Sequence, residues 1–438
     1  MPKIIAGACL GRGARHGRDS APHDPCASGS RSLQQRSLGE SRCQLIRICP
    51  DLMRYFYPLR RHCRTLLLLA LLSCAVGVSA QVVDWPLWEN FRRHAIQSDG
   101  RVIERRANDR TTSEAQAYAL FFALVANDRG QFERLLSWTQ NNLANGDLRK
   151  QQPAWLWGPD MASRWRVLDA NPAADADFWL AYTLLQAGRL WQVSDYITIG
   201  RALLQQIQTS QQVELPGFGM TVLPGRHGFV LDKSRLRINP SYLMPQQLRA
   251  FAQADPTGPW QAMADSLPTL IRRASPAGFV PDWIVYHADK GWVTDPATGP
   301  IGSYDAIRVY LWLGMMDEGD PARAALLSAT SGIRRALDTS QDTLETINTV
   351  TGAARGKTPA GFTAALLPYL WTLQQSQALE RLYQQVQATQ QKAFFSAQSL
   401  YYDQVLALFS LGFMEHRFRF DAQGALLPAW ASTSARSR

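Results

Sequence analysis

From Trp85 onward one pattern dominates the sequence: apolar residues recur at helical spacing and are stopped repeatedly by Gly, Pro or Asp turns. The pattern predicts about twelve helices: Trp85–Ile96, Ser113–Ala126, Arg129–Leu143, Ala173–Ala187, Ser194–Thr209, Tyr242–Ala254, Trp260–Ala274, Tyr304–Met316, Pro321–Ala336, Gly361–Leu373, Gln375–Gln391 and Ser399–Gly412. No long linker separates them. An all-α chain of paired helices can stack as an open solenoid or close on itself as an (α/α)6 barrel. A solenoid needs a motif at fixed period, and none recurs. Two interruptions, Val213–Asn239 and Ser275–Gly302, are rich in turn residues and alternating apolar positions and read as short β-hairpin excursions. Long irregular segments of this kind tend to hold binding residues.

The first eighty residues differ in kind. They hold twelve Lys or Arg against four Asp or Glu, which is +8 of the chain's net +10. The remaining residues are almost neutral and offer no basic footprint for nucleic acid. All six cysteines also lie before residue 81, so the rest of the chain has neither a disulfide nor a thiolate metal site, as suits an exported protein. Met53–Ala80 reads as a secretory signal: a basic start, an apolar run over Thr65–Val78, and a small-residue cleavage site at Val78-Ser79-Ala80. Residues 1–52 have no hydrophobic period and read as a non-native upstream extension, which makes 81–438 a single domain and its expected location periplasmic or secreted. The rival is a lipoprotein modified at Cys74, although Leu72 fits a lipobox poorly.

Chemistry concentrates in Asp169–Trp191. Asn171 can cap a helix, Pro172 suits its first position, Asp175 falls in the first turn, and Gly188 reads as the stop. Asp175 and Asp177 are two apart and so point to nearly opposite sides, one free to face a buried site while the other stays in water. The plain alternative is that both acids merely favour the positive end of the helix. Ala173–Trp191 resembles the signature of glycoside hydrolase family 8, departing at Ala174, Leu180 and Thr183. The resemblance, which extends from Trp85 to Trp430, implies the (α/α)6 barrel. It also implies an inverting endo-β-1,4-glucanase acting on β-1,4-glucan chains without a cofactor or metal, linked functionally to the bacterial cellulose synthase and export machinery.

Such chemistry needs one carboxyl group to protonate the leaving oxygen and another to activate water. The resemblance makes Glu114 the general acid and Asp305 the base, and places Asp175 on the sugar at the cleavage site. Taken alone, Thr111-Thr112-Ser113-Glu114 is a capping box in which Glu114 would bond back to the cap. Likewise Asp305 and Arg308 could be an ordinary i,i+3 ion pair, or Arg308 could hold a base ionised. An acid must arrive protonated, so Glu114 needs burial or a neighbouring anion, for which Asp175 is the candidate.

Fourteen Trp follow residue 84. Trp138, Trp179 and Trp191 read as core. Trp155 and Trp157, in a turn-like run, read as sugar-binding; Asn239-Pro240-Ser241-Tyr242 resembles a segment of the family, which implies that Tyr242 binds substrate near the scissile bond. The four histidines after residue 80, His94, His227, His287 and His416, are scattered and form no metal-ligand spacing, and Gly352–Thr358 only imitates a phosphate loop. No docking helix or coiled coil is evident, which predicts a monomer. Hydrolysis of another β-1,4-linked glycan (chitosan, xylan or mixed-linkage glucan) and non-catalytic glycan binding are the alternatives.

Overall fold

The computed structural model describes residues 83–340 and 344–431; the segment expected to be a leader, the six cysteines and the expected cleavage site lie outside the described residues. Six helices form an inner ring: α2 (Ser113–Val125), α4 (Ala174–Trp191), α6 (Pro245–Ala254), α8 (Ala306–Gly314), α11 (Ala360–Thr372) and α13 (Tyr401–Met414). An outer layer alternates with them along the chain. It comprises α1 (Pro86–Ala95), α3 (Arg129–Leu143), α5 (Ser194–Gln211), α7 (Trp260–Ala274), the pair α9 (Arg323–Ala329) and α10 (Gly332–Ser340), and α12 (Ser376–Ala393). Phe409 of α13 closes the ring against Phe121 and Phe122 of α2, with ring centroids at 5.4 and 4.6 Å. This is the expected (α/α)6 barrel.

The two layers differ in sequence for a physical reason. An inner helix is surrounded by protein, so it is apolar on all sides; an outer helix needs only one apolar stripe. Every residue of α2 except Glu114 is buried, and all of α8 is buried. In α12, by contrast, only Leu382 and Val386 are fully buried. Trp138, Trp179 and Trp191 lie in the core as expected.

Some helix boundaries differ from the sequence reading. Pro321–Ala336 divides into α9 and α10, because Thr330 turns its hydroxyl back onto the Leu326 carbonyl at 3.0 Å and Gly332 leaves to bond Gly278. The helix expected from Tyr242 starts at Pro245, after a 3-10 turn over Pro240–Tyr242. Gly188 does not stop α4. The helix runs on to Trp191 and ends where Gln192 adopts a left-handed φ of 58°. Gly188 is small because α5 crosses there, and a Cβ would overlap the Ile197 side chain. Asn171 does not cap α4 either; its side-chain oxygen accepts from the backbone N–H groups of Arg226 and His227, 3.0 and 3.2 Å away.

Short antiparallel sheets interrupt the helices: β1 (Thr111–Thr112), β2 (Leu156–Pro159) and β3 (Trp165–Asp169), outside both expected excursions, make one; β4 (Gln212–Leu215) and β5 (Gly219–Val222), at the start of the first excursion, make another. The hairpin of β6 (Val230–Asp232) and β7 (Arg235–Ile238), from the first excursion, joins that of β8 (Ile284–His287) and β9 (Gly291–Thr294), from the second, in one four-stranded sheet through β7 and β8. A fourth sheet contains β10 (Ile301–Gly302), β11 (Thr346–Asn348) and β12 (Ala354–Arg355), so Gly352–Thr358 is partly strand. β1 leads directly into α2 and β10 stands just before Asp305, so two of these sheets adjoin helix starts that hold candidate acids.

Candidate active site

Four residues from three points in the sequence converge at the starts of three inner helices. Glu114 lies in the first turn of α2, Asp175 in that of α4, and Asp305 immediately before α8, with Arg308 one turn later. The Arg308 guanidinium, 4% exposed, is their junction. Its Nη1 donates to Glu114 Oε2 at 2.5 Å, to Asp175 Oδ2 at 3.1 Å and to the Tyr118 hydroxyl at 3.2 Å. Its Nη2 donates to Asp305 Oδ1 at 2.6 Å and to Ser241 Oγ at 2.9 Å. Asn239 accepts from the Ser241 hydroxyl at 2.7 Å, and so fixes the residue that fixes the arginine. Only a planar fork of several N–H groups could serve this many acceptors at once.

Glu114 does not complete a capping box. Thr112 is the N-cap, and its hydroxyl accepts from Ala115 N–H at 3.1 Å, so the position three residues into the helix belongs to Ala115. Glu114 stands one residue short of that position and turns across the groove to Arg308. The Thr112 hydroxyl itself donates to Glu104 at 3.1 Å, an acid that the sequence reading passed over.

Burial raises Glu114 to about 8, with Arg308 pulling it down and the charges of Asp175, Glu104 and Asp305 pushing it up. At neutral pH it therefore holds its proton. It also keeps 23% of its side chain exposed, so a ligand can reach it. Asp305 is similarly open, at 26%. Asp175 is almost closed off at 7%, and burial raises it while Arg308 opposes the rise.

Asp177 does not stay in water. It is fully buried, accepts from the Gln152 amide at 2.7 Å, and is pushed well above the usual carboxylate range by burial. Gln152 also accepts from Ser210 and Arg226, so this acid belongs to a polar network beneath the loop that leads to Trp155.

The aromatic residues divide. Tyr242 lies against the arginine, its ring centroid 5.5 Å from the guanidinium carbon, and meets Trp283 edge-on at 6.2 Å. Trp283 in turn stacks on Phe229 at 5.9 Å and beneath Arg237 at 4.1 Å. Trp155 is tied to the start of α2, where its carbonyl accepts from Ser113 N–H at 3.0 Å. Trp157 lies in strand β2, not in a turn, and its ring packs on Trp165 at 5.1 Å, on Trp138 at 5.3 Å and near Arg101 at 4.6 Å. It stands one strand away from the acids and props the outer hairpin. Trp283 and Phe229 could not be singled out from the sequence, because only the β7–β8 pairing brings their two excursions together.

Among the described residues no group of His, Cys, Asp and Glu has the arrangement of a metal site. Between the three carboxylates lies a guanidinium, which already supplies the positive charge. Hydrolysis of a glycosidic bond needs one carboxyl group that carries a proton and a second that can reach water, and Glu114 and Asp305 are both partly exposed on one guanidinium.

The chain belongs to glycosyl hydrolases family 8, whose description matches residues 58–416. It is a glycoside hydrolase. It is 48% identical over 359 residues to an endoglucanase of Xanthomonas axonopodis pv. citri (strain 306), covering 82% of this chain and 92% of that one. It is 43% identical over 380 residues to the endoglucanase of Escherichia coli (strain K12), covering 86% and 99%. In structure it is similar to the endo-1,4-D-glucanase from Vibrio fischeri ES114, with a TM-score of 0.76 and 39% identity over 79% of this chain and 99% of that chain. The endo-beta-1,4-glucanase CMCax from Acetobacter xylinum, 23% identical over 74% of this chain and 95% of that one, shares the fold with a TM-score of 0.57.

Proposed function

We propose that this chain is an inverting endo-β-1,4-glucanase that cuts internal bonds of cellulose chains, with Glu114 as general acid and Asp305 as general base. The observation that carries the assignment is the contrast between the two carboxyl groups. Glu114 is raised to about 8 by burial and retains its proton at neutral pH, while Asp305 stands open beside a guanidinium. Glu114 gives its proton to the glycosidic oxygen as the bond from the anomeric carbon breaks. Asp305 removes a proton from the water that attacks that carbon from the opposite face, so the new hydroxyl has inverted configuration. Arg308, already 2.5 Å from Glu114, stabilises the carboxylate that the acid becomes. Asp175 orients the sugar at the cleavage point, and Tyr242 and Trp155 offer flat faces to glucose rings.

The endoglucanase names of the relatives at 43–48% identity support cellulose as substrate. Release of reducing ends from soluble carboxymethylcellulose by residues 81–438 tests the activity, with xylan, chitosan and mixed-linkage glucan assayed in parallel. Proton NMR of the first products tests inversion, since the α-anomer must appear first from a β-bond. Binding without release would make the chain a glycan-binding protein instead.

The enzyme acts as an exported monomer that meets the cellulose synthase and export machinery through its nascent glucan. The basic, apolar and small-residue succession of Met53–Ala80 supports export. Amino-terminal sequencing of periplasmic material is expected to read from Gln81; a lipid-modified start at Cys74 would refute soluble export. Stoichiometric co-purification with the synthase would refute the monomer.

A further inference from the structure

The first turn of α8 does not use the cap that its own sequence offers. Ile307 N–H bonds back to the Ser303 carbonyl at 3.0 Å, so the turn opens at Ser303, a residue type that normally caps with its hydroxyl. That hydroxyl is occupied elsewhere, donating to the Glu345 carbonyl at 2.5 Å. The exposed donors of the turn go instead to Asp282, twenty-one residues earlier. Its Oδ1 accepts from the backbone N–H groups of Ser303 at 2.7 Å, Asp305 at 3.1 Å and Ala306 at 2.8 Å.

Asp282 is itself held firmly. Its own N–H bonds the Ile301 carbonyl at 2.8 Å, and two residues before it Val280 N–H donates to the hydroxyl of Tyr310, on α8 itself, at 3.0 Å. The consequence falls on Asp305. Among the described residues its carboxylate receives one side-chain hydrogen bond, from Arg308, and none from a backbone N–H. An aspartate at a helix start usually turns onto free N–H groups, which would occupy the lone pairs a base needs.

We propose that Asp282 is a positioning residue for hydrolysis: it caps the first turn of α8 in place of Ser303, and so leaves the Asp305 carboxylate aimed by Arg308 and free to take a proton from water. This rests on the reading of Asp305 as base. One oxygen accepting three N–H groups is what the role requires, and an asparagine oxygen accepts equally well. Burial and the Asp305 charge raise Asp282 to about 7, against the pull of the three N–H donors, so a neutral side chain of the same shape is tolerated there.

The test compares D282A, D282N, D282E and D305N in the full chain, with kcat and KM on soluble glucan, binding by tryptophan fluorescence and thermal melting. D282A removes the acceptor and is expected to lower kcat about a hundredfold, the scale of a misplaced reacting group, with KM within about threefold. D282N is expected to recover kcat to within about threefold of the wild type, because the cap returns without the charge. D282E keeps the charge but carries its oxygen one methylene too far, and is expected to stay impaired even if D282A does not fold. Active D282A, or inactive D282N beside active D282E, would overturn the positioning role. Active D305N would overturn the base assignment itself, whatever the Asp282 variants do.

Discussion

Replacing Glu114 by Gln keeps the shape of the side chain and removes its proton transfer, and the structure sets two magnitudes for the change. The first is catalytic: a lost general acid costs about 10²–10⁴-fold in kcat, with glucan binding kept. The second is proton-linked stability. The folded state raises Glu114 from 4.5 to about 8, so between those values the native chain holds a proton that the unfolded chain has released. Stability from this group is therefore full below pH 4.5 and declines as pH rises through 8. At about 1.4 kcal/mol for each pH unit the decline has an upper bound of roughly 5 kcal/mol, reduced by water reaching the exposed part of the side chain. Glu114→Gln has no such titration. Because Thr112 alone caps α2, the substitution leaves the helix start intact. Urea melts of both proteins at pH 5 and pH 8 are expected to show the variant gaining on the wild type as pH rises. Parallel curves at the two pH values would refute the buried-acid argument, and near-normal kcat would refute the acid assignment.

Other perturbations have equally definite outcomes. The alkaline limb of the wild-type kcat/KM profile should fall near pH 8, where Glu114 loses its proton, and the Glu114→Gln residual activity should lack that limb. Asp305→Asn should lower kcat by about 10²–10⁴-fold with KM little changed, as steady-state kinetics will read directly. Arg308→Lys should reduce both kcat and melting temperature, because an ammonium cannot serve Glu114, Asp175, Asp305 and Ser241 together. Gly314→Ala should destabilise the barrel by about 1–3 kcal/mol in denaturant melts, since a Cβ there would overlap the Tyr369 backbone where α8 crosses α11.

Most helices were legible because each is specified within its own length. Arg129–Leu143 and Trp260–Ala274 lie as read, and the Asp305–Arg308 pair follows from one helical turn. Errors arose where a local rule competed with a distant partner. Gly188 looks like a stop until α5 is seen crossing it, and Asn171 looks like a cap until the Arg226–His227 backbone is seen to need its oxygen. Glu114 looks like half of a capping box because a helix boundary uncertain by one residue decides which side chain reaches the cap.

The site shows the same division. The sequence by itself determined which residue types stand at which helix starts, since periodicity and turn chemistry act over a few residues. Resemblance to a family then attached roles to Glu114, Asp175 and Asp305. Only the tertiary structure decided that a single guanidinium joins acids 194, 133 and 3 residues away. It alone decided that Asp282 caps a turn twenty-one residues later, and that Asp177 is buried instead of wet. Proton affinity depends on burial and on charges nearby in space, and both are set by ring closure. A closed ring brings together helix starts that no window of sequence contains.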